Sequence, residues 1–141
     1  MATRVWQLIF LAFVAIATGC GSDPPVGRVF GRVSFEGAPL NEGTILFSNA
    51  DAGVHLRAKI ETDGSYVLKT YEANGLPYGT YVVSILPPPA DLITGKPTLP
   101  IKEFSNIPLQ YRDPSTSGLK LTVGEGDNSF DVHMQRDVIA P

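Results

Sequence analysis

The chain has 141 residues, of which 43% are hydrophobic and 18% are charged. Its 11 basic and 14 acidic residues give a net charge of −3, and no stretch concentrates the basic ones, so we predict no nucleic-acid partner. A single cysteine excludes an internal disulfide, so a domain of this length must be held together by its hydrophobic core.

The N-terminal segment has the layout of a secretory signal peptide. One positive charge, Arg4, precedes an apolar run over residues 8–17, and the small residues Thr18 and Gly19 close it. A membrane-spanning helix requires roughly 20 apolar residues, about twice the length of this run. We therefore predict that residues 1–19 are a signal peptide and form no permanent transmembrane anchor.

The signal ends at the only cysteine, Cys20, and the sequence Ala-Thr-Gly-Cys resembles the lipobox of bacterial lipoproteins. The first lipobox position is most often Leu, and here it is Ala17. The resemblance implies a thioether between Cys20 and diacylglycerol, acyl chains such as palmitate, and cleavage before the cysteine. The alternative is an ordinary cleavage site at which Cys20 carries no lipid.

Lipidation at Cys20 predicts an exported protein that is anchored to a cell-envelope membrane, on its periplasmic or outer face. Each buried methylene contributes about 0.8 kcal/mol, so several acyl chains hold a protein stably. Cleavage removes Arg4 and leaves 10 basic and 14 acidic residues, a net charge of 10 − 14 = −4. Residues 20–26 are mostly small, polar or proline and are predicted as the lipidated tether.

From Arg28 onward, apolar and polar residues alternate with a period of two, which is typical of half-buried strands. Turn residues separate the alternating stretches. Residues 27–135 are therefore predicted as an all-β, antiparallel β-sandwich of about seven strands, with 136–141 as a C-terminal tail. The residues predicted to face the core are Val29, Gly31, Val33, Phe35, Val54, Leu56, Ala58, Ile60, Tyr81, Val83, Ile85, Leu119, Leu121, Val123, Phe130, Val132 and Met134.

Residues that favour turns lie between these strands. Asp63-Gly64 is predicted to form a type I′ hairpin turn, in which both central residues need positive φ. Glu36-Gly37 and residues 124–128 are predicted as further turns. The outward neighbours of the core residues, among them Arg32, Arg57 and Ser84, are predicted to tolerate substitution.

Several stretches resemble carboxypeptidase regulatory-like domains in order and spacing. They are GRVSFEGAPLNEGTILF (31–47), DGSYVL (63–68) and GLPYGTYVVSI (75–85). Small single-domain bacterial lipoproteins of this group also show an Ile-Pro-x-x-Tyr element and a late strand pair, which residues 107–111 and 117–134 match. The resemblance implies a transthyretin-like sandwich of seven strands.

The same sandwich occurs in two kinds of enzyme, and this chain lacks the signature of each. Intradiol dioxygenases hold iron with two Tyr and two closely spaced His, whereas His55 and His133 are 78 residues apart. Transthyretin-like hydrolases end in Tyr-Arg-Gly-Ser, whereas this chain ends in Val-Ile-Ala-Pro. We therefore predict no enzymatic activity, no catalytic residue, no cofactor and no metal site.

Two metal sites are alternatives to that prediction. His55 and His133 are predicted to be solvated, but on adjacent strands of one face they would form a site with Asp131 or Glu61. The acidic stretch around Asp127 is predicted as a turn with local hydrogen bonds rather than a calcium loop, because it lacks the required ligand density.

Two further features are interpreted structurally. Tyr66 and Tyr81 are predicted to place their rings in the core and their hydroxyls at its edge, the alternative being an aromatic platform for a ligand. Residues 87–106 contain five prolines, three of them directly after a strand that they must end. This segment is either a surface connection or a partner contact, and its apolar residues, such as Phe104, predict that part of it folds back onto the sandwich.

The sequence therefore predicts a lipid-anchored, extracytoplasmic β-sandwich that acts as a non-catalytic binding or assembly module of the bacterial cell envelope. Its partners would be the membrane, through the lipid on Cys20, and an envelope protein or polymer that the residues do not identify. The alternatives are a purely structural envelope lipoprotein and a cryptic metal-dependent enzyme on a transthyretin-like fold.

Overall fold

The computed structural model describes residues 25–69, 75–88 and 104–136. The predicted signal peptide, the predicted lipidation site Cys20, most of the predicted tether, most of the proline-rich loop and the C-terminal tail lie outside these ranges. Among the described residues, no helix is both long enough and apolar enough to span a bilayer.

The described residues form ten strands and one short helix, so the predicted all-β class is confirmed. Five of the strands are only two or three residues long. The elements are β1 (Val26–Phe35), β2 (Ala38–Pro39), β3 (Thr44–Asn49), β4 (Val54–Lys59), β5 (Ser65–Val67), β6 (Leu76–Pro77), β7 (Gly79–Leu86), α1 (Leu109–Arg112), β8 (Leu119–Val123), β9 (Asp127–Ser129) and β10 (Val132–Met134).

The two sheets of the sandwich are built differently. In the first sheet, the long strand β1 pairs with β2, β5 and β6 in antiparallel fashion and with β9 and β10 in parallel. In the second sheet, the order is β4-β3-β7-β8 and every pairing is antiparallel. The two parallel pairings differ from the predicted antiparallel arrangement, because side-chain alternation does not depend on strand direction.

The core lies between the two sheets and contains the predicted inward residues. All of these are buried or partly buried. The bulkiest fully buried side chains include Tyr66 from the first sheet and Phe47 and Tyr81 from the second. The rings of Phe47 and Tyr66 meet with their centroids 6.1 Å apart. Burying such a side chain contributes roughly 1.5–3 kcal/mol, so the core is the main source of stability in this part of the chain.

A rim segment that includes α1 lies next to β7 and continues the core. Phe104 is buried, as predicted for the part of the proline-rich loop that folds back, and Ile107 is fully buried beside Ile60 and Gly43. Arg112 Nε donates to the Ile107 carbonyl and its Nη2 to the Phe104 carbonyl, both at 2.8 Å. The guanidinium thus fixes the turn that leads into the helix.

The hairpin turn with two positive φ angles is Glu36-Gly37, not Asp63-Gly64. Glu36 has φ 49° and Gly37 has φ 84°, and they join β1 to β2. At the other site only Gly64 has positive φ, and its N–H donates to the Glu61 carbonyl. That turn leads from β4 in one sheet to β5 in the other. The prediction of a turn at Asp63-Gly64 is therefore confirmed, whereas the prediction of a hairpin is wrong.

Ser84 is fully buried, although the alternation predicted an outward and tolerant position. Its Oγ has no hydrogen-bond partner in the described part of the chain. Ser84 lies on the central strand β7 opposite Leu46 of β3. A small side chain in the middle of a sheet is covered by its neighbours, which alternation alone does not reveal.

Candidate functional site

The single site residue predicted from the sequence, Cys20, lies outside the described residues. The structure therefore bears only on the other candidates, which are the histidines, the acidic loop and the tyrosines. Each of these falls on a described strand or turn, so its surroundings can be compared with the chemistry it would need.

The two histidines lie on different sheets. His55 is exposed on β4 in the second sheet, and His133 is exposed on β10 in the first. The Nδ1 atom of His133 is 2.8 Å from the Ser34 hydroxyl. The alternative of a shared site on adjacent strands of one face is therefore wrong. In the described ranges, no group of three or more His, Cys, Asp and Glu side chains is placed to hold a metal ion.

The loop over residues 124–128 is organised by one amide side chain. Asn128 Oδ1 accepts the Gly124 N–H at 3.0 Å. Its Nδ2 donates to the carbonyls of Gly124, Gly126 and Arg28 at 3.0, 3.2 and 3.2 Å. The side chain thereby bridges the turn and β1, as expected for a turn with local hydrogen bonds. Its oxygen faces a backbone donor and not a cation.

Both tyrosines are structural. Tyr66 donates its hydroxyl to the Phe130 carbonyl at 2.6 Å, and Tyr81 donates to the Pro77 carbonyl at 2.9 Å. Burial raises the pKa of Tyr66 well above its usual value, and the carboxylate of Asp131 raises it further. Burial also raises the pKa of Tyr81. The rings lie in the core with their hydroxyls at its edge, as predicted.

A groove of about 460 Å³ crosses the outer face of the first sheet, over β1, β5 and β9. We call it the β1 groove. Phe30 lies at its centre, because the register pairs it with Val67 on one side and with Ser129 on the other. Val67 is half exposed, so an apolar side chain lines the groove beside the partly buried Phe30 ring.

Charged groups lie at both ends of the β1 groove. At one end, Arg28 Nη1 is 3.1 Å from Asp127 Oδ1, and the Arg28 guanidinium lies 5.8 Å from the centre of the Phe30 ring. At the other end, Asp131 Oδ1 accepts the backbone N–H of Arg32 at 2.8 Å. Arg28 and Arg32 are four residues apart on one strand, a span of about 13 Å at roughly 3.3 Å per residue.

This arrangement suits non-covalent binding. An apolar centre with a donor and an acceptor at each end matches an extended ligand that has an apolar face and polar edges. The Arg28–Asp127 pair is exposed and contributes little to stability, so its groups can exchange partners with a ligand at low cost. The lining contains two serines but no histidine or cysteine, and the hydroxyl of one of them, Ser65, donates to Asp63 Oδ1 at 2.6 Å.

The β1 groove was not predicted from the sequence, although one signal for it was present. Phe30 occupies an outward position of β1, where the alternation calls for a polar residue, and it lies between Arg28 and Arg32. Phe30 and the half-exposed Val67 together form an apolar patch on this polar face, a feature that is typical of binding sites. The partners from β9 could not be predicted, because they come from about 100 residues further along the chain.

Comparisons with known proteins assign no family, since no family model, no curated protein and no solved structure matches this chain. The geometry of the described residues is therefore the basis for a proposal on function.

Proposed function

We propose that the protein is a lipid-anchored envelope module that binds an extended envelope protein or polymer without transforming it. The observation that carries the proposal is the β1 groove, which combines the partly buried Phe30 ring with an Arg and an Asp at each end. The groove lies on the outer face of a sheet whose other face builds the core, so a ligand can bind without disturbing the fold.

The membrane part of the proposal rests on the residues that end the signal segment. The Ala-Thr-Gly-Cys sequence and the short apolar run before it support lipidation at Cys20. The tether then joins the lipid to β1, which begins at Val26. A lipid on Cys20 would hold the domain within a few residues of the membrane surface.

We also propose that the domain is of the carboxypeptidase regulatory-like type. The backbone conformation of three glycines in the matching stretches supports this fold type. Gly37, Gly43 and Gly64 have φ angles of 84°, 132° and 80°, a region that other residues rarely adopt. The matching stretches thus have glycine where the backbone adopts a conformation that other residues rarely adopt, and this supports a resemblance in fold.

The membrane attachment is tested by replacing Cys20 with Ser. We expect the variant to lose metabolic labelling by palmitate and to leave the membrane fraction or remain unprocessed. Cys20 is the only cysteine, so no other thiol can substitute for it. A variant that stays in the membrane fraction and migrates like the parent would disprove lipidation at this residue.

The binding role is tested by substitutions in the β1 groove. Capture from envelope extracts should recover a protein or polysaccharide with the parent, and Phe30→Ala or Asp131→Asn should reduce the recovery at least ten-fold. The matched control is Thr122→Ala, an exposed strand residue on the outer face of the second sheet. If both groove variants retain the parent's recovery while folding normally, the groove is not the binding site.

A purely structural lipoprotein is the second candidate. In that case the parent should retain no soluble envelope component above the level of the Phe30→Ala variant, while deletion of the gene still weakens the envelope. Equal, near-zero recovery with both proteins would therefore favour the structural role over the binding role.

A further inference from the structure

Strand β4 forms one edge of the second sheet. The backbone hydrogen bonds between β4 and β3 show which residues of β4 direct their N–H and C=O groups away from the sheet. The Ile60 N–H donates to the Gly43 carbonyl at 3.0 Å, so this antiparallel pair is a hydrogen-bonded one. Hydrogen-bonded and non-hydrogen-bonded pairs alternate along antiparallel strands. By the observed register, Ala58, Leu56 and Val54 also turn their backbone groups toward β3.

It follows that His55, Arg57 and Lys59 direct their N–H and C=O groups away from β3. Within the described residues, no strand pairs with that side of β4. The edge thus presents three donors and three acceptors spaced about 7 Å apart, at roughly 3.4 Å per residue. Such a row is a template for another strand.

The side chains on this edge are basic. His55, Arg57 and Lys59 are all exposed on the outer face of the sheet. Arg57 has no ion pair in the described part of the chain. Lys59 Nζ is 3.4 Å from Glu61 Oε2, but both side chains are more than half exposed, so the pair is weak.

A groove next to the edge adds a second feature. It has a volume of about 570 Å³ and is lined by Arg57 and Lys59 together with Thr44, Ile60 and Pro88. Glu42 is the acidic side chain of its lining. The two basic side chains therefore belong both to the exposed strand edge and to a concave surface beside it.

We propose that the outer edge of β4 binds an extended acidic segment of a partner protein as an additional antiparallel strand. The partner's residues opposite Arg57 and Lys59 would lie on the same face as these cations, so acidic side chains fit at alternate positions. The positions between them would extend the inner face beside the partly buried Val54 and Leu56, so apolar side chains fit there.

A second copy of this chain fits the edge poorly. Antiparallel pairing of two β4 strands about a two-fold axis would place the basic side chains of one copy against those of the other. Like charges directly opposite each other destabilise a strand pair. The charge of the edge thus selects a partner of opposite sign.

The test uses the purified full-length protein and a capped eight-residue peptide of alternating Glu and Val. Binding is measured by calorimetry, and amide hydrogen exchange is measured with and without saturating peptide. We expect exchange to slow at the amides of His55, Arg57 and Lys59. The amides of Leu56 and Ala58 should not change, because they already face β3.

Two controls separate strand addition from charge attraction. A peptide of alternating Lys and Val should bind at least ten-fold more weakly. The double variant Arg57→Gln, Lys59→Gln should lose at least ten-fold in affinity for the Glu peptide. The matched variant Lys120→Gln should retain it, since this exposed lysine lies on β8 at the opposite edge of the sheet.

The site is independent of the β1 groove, so Phe30→Ala should leave the peptide affinity unchanged and the two proposals can fail separately. Binding without slower exchange at the three edge amides would overturn strand addition. No binding of the Glu peptide by the parent would also overturn the proposal. Self-association of the Gln double variant would then show that the basic residues only protect the edge from pairing.

Discussion

The two sheets of this sandwich achieve the same result, a buried apolar face, by different means. The second sheet is a continuous antiparallel ladder of four strands, each five to eight residues long. The first sheet is assembled around β1, to which five strands of two or three residues each pair over part of its length. Local alternation predicts which side chains of the ladder face the core, whereas the pairing of strands in both sheets depends on contacts between segments distant in the chain.

Glycine shows where the first sheet depends on close backbone contact. A Cβ atom at Gly31 would collide with the backbone carbonyl of Phe130, and one at Gly27 would collide with that of Gly124. The strands of the second sheet contain one glycine, Gly79, at the start of β7. The first sheet should therefore be sensitive to side-chain atoms added at these two glycines.

The largest effect should come from a charge in the core of either sheet. Val33 and Val83 are both fully buried, on the central strands β1 and β7. Replacing either with Asp buries an unpaired carboxylate, which should cost several kcal/mol of a total of about 5–15 and unfold the domain. Leu56→Asp on the edge strand β4 should cost less, because Leu56 is only partly buried. Thermal unfolding of the three variants checks this order. An equal loss of stability in all three would show that Leu56 on the edge strand is as deeply buried as Val33 and Val83.

Next in size is a methyl group added to the first sheet. Gly31→Ala should destabilise the domain by about 1–3 kcal/mol, because the new atom must displace the backbone of Phe130. The control is Gly124→Ala, where no atom lies within 4 Å of the new Cβ. Urea unfolding of both variants measures the difference. Equal stabilities would mean that β1 and the chain near Phe130 can separate freely.

The tyrosines provide a pH-dependent comparison. Burial raises the pKa of Tyr66 above its unfolded value of about 10, so the folded state holds its proton longer than the unfolded state does. The contribution of Tyr66 to the free energy of unfolding is therefore fully present below pH 10. Above pH 10 it falls by about 1.4 kcal/mol per pH unit, the value for one such group. Tyr66→Phe should cost about 0.5–1.5 kcal/mol at neutral pH through the lost bond to Phe130. The variant should also lose stability less steeply above pH 10 than the parent, and an unchanged slope would contradict the burial of this phenol.

The smallest effect should have the opposite sign. Ser84→Ala in the second sheet removes a buried hydroxyl without a partner and should stabilise the domain by about 0.5–1 kcal/mol. Ser48→Ala on the neighbouring strand β3 is the control, because that residue is partly exposed, and it should change stability by less than about 0.5 kcal/mol. A loss of stability in the Ser84 variant would mean that the hydroxyl is hydrogen-bonded.

The sequence predicted the second sheet well. The residues of β4, β7 and β8 that the alternation placed inward are buried or partly buried, and the exposed residues His55 and Lys120 lie on the outside. The exception is Ser84, whose burial depends on the size of its neighbours and not on its phase. Likewise, the turn at residues 63–64 was recognised from its composition, but the sheets that it connects were not.

The candidate sites were less predictable than the strands. Phe30 was placed on the outside from its phase, but the groove around it needs Asp127 and Asp131, which the parallel pairing of β1 and β9 brings close. The basic edge of β4 was visible as alternating residues, but the sequence does not state which strand ends a sheet. Strand order and direction are set by contacts between segments far apart in the chain.

The sequence by itself determined the period-two pattern, the inward residues, the single cysteine and the lipobox-like Ala-Thr-Gly-Cys stretch. These features are local, since they depend on residues within a few positions of one another. Only the tertiary structure decided that β9 and β10 run parallel to β1, that Ser84 is buried, and that charged groups end a groove centred on Phe30. The physical reason is that alternation assigns each side chain to a face of its strand, whereas the neighbour on that face is chosen by the packing of the whole domain.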